Sequence, residues 1–86
     1  MTTTTIVVRY FAAARAAAGV ESEKIQLPAG STVDAALAAL REQHGAELST
    51  VLERCSFLVD GVAVRDRAAV LGADATLDVL PPFAGG

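Results

Sequence analysis

In 86 residues the chain holds one Cys, one His, one Lys, one Tyr and no Trp. A metal site built from His and Cys would have two candidate ligands, short of the usual four, or three plus water. Cys55 cannot form an internal disulfide, although small secreted domains usually depend on them, so a cytoplasmic location is expected. Basic residues are also few. Lys plus Arg is 7 against 10 for Asp plus Glu, a net charge of −3. A nucleic-acid partner is therefore not expected, since it requires a basic face to displace counterions. The apolar stretches fall far short of the ~20 residues of a membrane span, and no membrane partner is expected. Met1 to Arg9 has no basic stretch ahead of an apolar run and does not read as a signal peptide. The seven glycines match neither a Walker loop nor GxGxxG, so nothing in the chain reads as a nucleotide site.

What the chain does have is apolar content: 52% of residues are hydrophobic, 18 of those 45 being Ala. This length supports one domain with one small core, burying roughly 60–65% of the surface of the unfolded chain. The expected organisation is a single domain over 1–80 and a flexible tail over 81–86.

Thr5 to Phe11 alternates, with Ile6, Val8 and Tyr10 on one face, and predicts a strand. Ala12 to Ala18 reads as one or two helical turns ended by Gly19, because Ala is the best helix former. Glu21 to Leu27 alternates again and is broken by Pro28-Ala29-Gly30. Ser31, with Asp34 three residues later, has capping-box spacing. Val33, Ala36, Leu37 and Leu40 form an apolar stripe, and Gly45 supplies a left-handed stop behind Arg41 and His44. A helix over 32–44 follows. Glu47 to Arg54 suggests a short helical turn. Cys55 to Asp60 and Val62 to Val64 flank Asp60-Gly61, whose residues suit the positive φ of a type I′ hairpin turn. Arg65 to Ala75 is a polar connection with Val70 and Leu71 as anchors, and Thr76 to Leu80 is a final strand. A hairpin, a helical crossover and further strands make an α+β sheet of about five strands with one main helix packed across it. A right-handed crossover places the first and last strands side by side and parallel. That is the β-grasp, or ubiquitin-like, arrangement.

Side chains offer little chemistry. An isolated cysteine such as Cys55 is more often a small buried hydrophobe than a nucleophile. His44, at a helix end, reads as a dipole-favoured residue, and Asp34 as part of a cap. Glu21 and Glu23, with Lys24 beside them, read as a solvated strand edge. The end of the sequence differs. Pro81-Pro82 directly after a strand removes backbone donors and stiffens the exit. Gly85-Gly86 then lacks any Cβ and can thread a slot that excludes side chains. Extended, the six residues from Pro81 reach at most ~20 Å. A glycine pair at a terminus arises by chance in about one chain in 200.

These residues carry a resemblance. Phe11-Ala12-Ala13-Ala14-Arg15-Ala16-Ala17-Ala18-Gly19 resembles the F-A-x-x-R-E-x-x-G segment of the molybdopterin synthase small subunit family, the MoaD-like sulfur carriers of the MoaD/ThiS group. Leu80-Pro81-Pro82-Phe83-Ala84-Gly85-Gly86 is similar to that family's P-P-[VF]-[AS]-G-G ending. The resemblance spans essentially the whole chain, and the ending is its more specific part. Two departures stand out. Ala16 replaces Glu, and the family's L-x-x-G-D-x-V segment reads Leu71-Gly72-Ala73-Asp74-Ala75-Thr76-Leu77, without the adjacent Gly-Asp.

The resemblance implies a sulfur carrier rather than an independent enzyme. In such carriers a ubiquitin-activating-type (MoeB-like) adenylyltransferase uses ATP to adenylate the carboxylate, here that of Gly86, and a sulfurtransferase converts it to a thiocarboxylate. The large (MoaE-like) synthase subunit then receives the tail, and the sulfur goes to a cyclic pyranopterin. The chain itself binds no cofactor in this scheme. Gly86 carries the sulfur, Gly85 and Ala84 give clearance, and Phe83, Pro82, Pro81 and Leu80 anchor the tail. Phe11 is a further contact at the same sheet end, ordinary core being the alternative for Phe11 and Leu80. The family also implies a heterotetramer of two small and two large subunits. Two other readings stay open: a carrier serving cysteine or thiamin biosynthesis, and a ubiquitin-like modifier or interaction domain.

Overall fold

A computed structural model describes residues 2–82. Strand β1 (Thr3–Tyr10) is followed by α1 (Ala12–Ala18), β2 (Ser22–Pro28), α2 (Val33–His44), α3 (Ala46–Leu52), β3 (Ser56–Val59), β4 (Val62–Ala63) and β5 (Thr76–Leu80). The strands form one mixed sheet in the order β2-β1-β5-β3-β4. β1 runs antiparallel to β2 and parallel to β5, with Tyr10 opposite Val79. The expected parallel neighbours are therefore present, and the architecture is β-grasp.

Alternation along each strand assigns its faces. Ile6, Val8, Tyr10, Ile25, Leu27, Phe57, Leu77 and Val79 are buried on one side of the sheet. The α2 stripe of Val33, Ala36, Leu37 and Leu40 packs into the same core with Leu48 and Leu52 of α3. Asp60 and Gly61 both have positive φ, 49° and 83°, as the tight hairpin requires.

Some local expectations are corrected. The cap of α2 is Thr32, whose hydroxyl accepts from the Ala35 N–H; the Ser31 hydroxyl instead donates to the Pro28 carbonyl. The helix starts one residue later than the Ser31 spacing implied, and Asp34 sits in its first turn without closing a box. Two further N–H groups of that turn, those of Val33 and Asp34, donate to the Ala69 and Arg67 carbonyls of the connection before β5. That connection is anchored by buried Leu71, whereas Val70 is 65% exposed and contributes only a backbone bridge to Thr32. Gly45 has a positive φ of 84° but ψ of −159°, outside the left-handed helical well. That extended mirror conformation lets α3 begin directly after α2, with Gly45 the only residue between them.

Candidate functional site at the root of the tail

β5 is an interior strand, bonded to β1 on one side and β3 on the other. Its end is held by the Ser56–Leu80 pairing and by the Phe11 N–H, which donates to the Val79 carbonyl at 3.2 Å. Beyond half-buried Leu80, Pro81 and Pro82 line a shallow groove with Ala13 of α1 and Thr50, Val51 and Arg54 around α3. The proline pair thus leaves the sheet between the two short helices. Phe83, Ala84, Gly85 and Gly86 lie outside the described residues.

Phe11 is not core. It occupies the extended residue ahead of α1 and is 38% exposed. Its ring lies 5.7 Å from the Arg9 guanidinium carbon, within cation–π range. Arg9, Tyr10, Phe11, Arg15, Glu21 and Ser22 line one concavity at this end of β1. The structure therefore gathers Phe11, Leu80 and the proline pair at one end of the molecule.

Sequence reasoning missed the strongest polar feature of this end. Arg9 on β1 and Asp78 on β5 are register partners on the sheet face opposite the core. Nε donates to Oδ1 at 2.6 Å and Nη2 to Oδ2 at 2.8 Å. The Asp78 side chain is only 7% exposed, that of Arg9 52%. Hydrogen bonding and then the charge of Asp78 raise the Arg9 pKa further. Each residue occupies an outward position in a predicted strand, but the parallel register that joins them is not written in either segment.

The solvated-edge reading of Glu23 is also overturned. Its carboxylate accepts from Tyr10 Oη at 2.6 Å and from Gln43 Nε2 at 2.7 Å, and pairs with His44 Nε2. The His44 ring also stands edge-on to Tyr10. Burial, followed by the Glu23 hydrogen bond and charge, pushes the Tyr10 hydroxyl well above its ordinary pKa. The cluster pins the end of α2 to the sheet. Cys55 is buried, donates to the Val51 carbonyl at 3.2 Å, and has its pKa raised by burial. Among the described residues no three His, Cys, Asp or Glu side chains group into a metal site. No helix among them is long and apolar enough to cross a membrane.

A model of the ThiS family matches residues 8–86, from the middle of β1 through the glycine pair. The chain belongs to the ThiS family. No curated protein matches it by sequence. Among solved structures, it is similar to SAMP1 from Haloferax volcanii, with a TM-score of 0.84 and 26% identity over 95% of this chain and 99% of that one. It is also similar to a protein from Pyrococcus furiosus described as molybdopterin converting factor subunit 1, with a TM-score of 0.80 and 25% identity. That match covers 93% of this chain and 99% of the other. The complex of subunits 1 and 2 of molybdopterin-converting factor from Helicobacter pylori gives a TM-score of 0.73 at 20% identity. It covers 96% of this ThiS-family chain and 100% of the matched chain, and at that identity it speaks for the fold alone.

Proposed function

We propose that this ThiS-family chain is a sulfur carrier and the small subunit of a molybdopterin synthase. The observation that carries the reading is the tail root. An interior strand ends in Leu80, and Pro81-Pro82 lead away between α1 and α3 toward Gly85-Gly86. The likeness to a converting factor subunit 1 over nearly the full length of both chains favours this acceptor. In the proposed reaction the Gly86 carboxylate attacks the α-phosphate of ATP on an adenylyltransferase, releasing pyrophosphate. The terminal sulfur of a sulfurtransferase persulfide then displaces AMP to give an acyl disulfide. A second thiol of the transferase cleaves its S–S bond, leaving a disulfide on the transferase and a C-terminal thiocarboxylate. Its sulfur is nucleophilic, and the large synthase subunit directs it to a cyclic pyranopterin. Gly85 and Ala84 leave the thread narrow, and Phe83, Pro82, Pro81, Leu80 and Phe11 seat it. The chain supplies a carried group and a docking surface, and its partners supply catalysis.

The test is co-purification from cells followed by intact-mass analysis. The expected result is the mass increase of one oxygen replaced by sulfur at Gly86, with a large synthase subunit in the eluate. Only carboxylate at Gly86, with adenylyltransferase, ATP and sulfur donor all supplied, would refute the carrier reading. The likeness to SAMP1, a small archaeal modifier protein, favours a second reading as a ubiquitin-like modifier. Isopeptide-linked conjugates through Gly86 would establish that one instead.

A further inference from the structure

We infer that Arg9 is a specificity-determining contact for the protein that accepts the tail for activation, and that it takes a carboxylate from that protein. The inference rests on the carrier reading.

Four observations converge on it. First, Arg9 lies at the tail root: its register partner Asp78 is two residues before Leu80, on the strand that becomes Pro81-Pro82. Second, the pair points outward, with the carboxylate beneath and the guanidinium half-exposed above it. Asp78 engages Nε and one N–H of Nη2. A guanidinium has five N–H donors, so three have no acceptor among the described residues, in a planar arrangement that fits a second carboxylate. Third, the group is held in place beforehand. Two hydrogen bonds below and the Phe11 ring beside it fix its orientation, so docking loses little side-chain entropy. Fourth, Arg15 lines the same concavity as Arg9 and Phe11, so two cations face the single carboxylate of Glu21 there, on a chain whose net charge is −3.

A partner covering this face must meet those three N–H groups with acceptors, because buried unpaired donors are costly. Asp78 already neutralises the cation and lessens the penalty of covering it. A partner presenting Lys, Arg or an apolar side chain here is rejected. Arg9 lies on β1, in the body of the carrier rather than in its tail. Its part is to position the body of the carrier while the tail is threaded.

The test uses the full chain with its purified cognate adenylyltransferase, reading kcat and KM for the carrier by ATP–pyrophosphate exchange. Arg9→Gln alone leaves the Asp78 carboxylate unpaired and can lower stability, so it is run beside the uncharged double variant Arg9→Gln/Asp78→Asn. Both are assayed where circular dichroism shows them folded. The expected result is a KM raised about tenfold or more in both variants at unchanged kcat. The wild-type KM should also climb with salt while that of the double variant stays flat. Arg9→Lys, which keeps charge without the fork, should fall between them. A folded double variant with wild-type KM and wild-type salt dependence would overturn the inference and leave the carrier reading standing. A wild-type chain that is neither adenylated nor thiocarboxylated would remove both.

Discussion

The hydroxyl of Tyr10 donates to Oε2 of Glu23 across 2.6 Å, joining the last residue of β1 to the second residue of β2. Gln43 and His44 reach the same carboxylate from the end of α2, so three elements meet on one charged group.

This arrangement predicts an acid-sensitive contribution to stability. Burial raises the Glu23 pKa, but hydrogen bonds from Tyr10, His44 and Gln43 outweigh it and hold the value below the ordinary 4.5. A carboxyl whose folded pKa is depressed adds stability that is fully present above the unfolded value and lost as pH falls through the folded one. Glu23→Gln should therefore unfold at lower urea than wild type at pH 7, by about 1–2 kcal/mol. The gap should narrow steadily as pH drops below 4.5. A gap independent of pH would contradict the assignment.

Capping of α2 gives a paired comparison. Thr32→Ala removes the acceptor for the Ala35 N–H and should cost about 1 kcal/mol. Ser31→Ala removes an exposed bond to the Pro28 carbonyl and should cost less than about 0.5 kcal/mol. Urea midpoints for the two variants in one buffer decide which residue is the cap.

The turn before β5 offers a backbone test. Asp74 holds φ of 58°, at the position where the related segment carries glycine. The left-handed conformation is thus kept with a different residue, one of the few types that tolerate it. Asp74→Ala should cost about 1 kcal/mol, while Asp74→Gly should fall within about 0.5 kcal/mol of wild type, relief of φ being offset by unfolded-state entropy. Thermal melts of both variants check this.

Cys55 should behave as a reporter of unfolding. It is buried and its pKa is raised by burial, so a thiol reagent at pH 7 should label the native protein slowly and the urea-unfolded chain at once. Fast labelling of the folded protein would contradict the packing of this thiol.

Local chemistry made much of the fold legible. Ile6, Val8 and Tyr10 alternate as a strand must, the α2 stripe repeats as a packed helix must, and Asp60-Gly61 accepts the φ values a tight hairpin demands. Each is a short-range constraint. Ser31 and Thr32 are both capping residues, and which one caps is decided by the Val33 and Asp34 N–H bonds to the distant connection at 67–69. Glu23 looked solvated beside Lys24 because its three partners lie at positions 10, 43 and 44. Arg9 and Asp78 are 69 residues apart, and only the parallel register of β1 and β5 joins them. Val70 and Leu71 were equivalent as hydrophobes; a backbone bond from the Leu71 N–H to the Ser31 carbonyl at 2.8 Å turns Leu71 inward and leaves Val70 in solvent. At the tail, residue types alone suggested threading, and the structure adds where the thread begins.

The interior place of β5 has a mechanical consequence. A pull on Pro81 acts along the strand, against hydrogen bonds to β1 and β3 that run across the line of force. Those bonds are loaded together in shear, rather than opened one by one as at a peeled edge. Tugging on the last residues should therefore leave the domain intact, and a partner can grip and release the thread without unravelling the body that carries it.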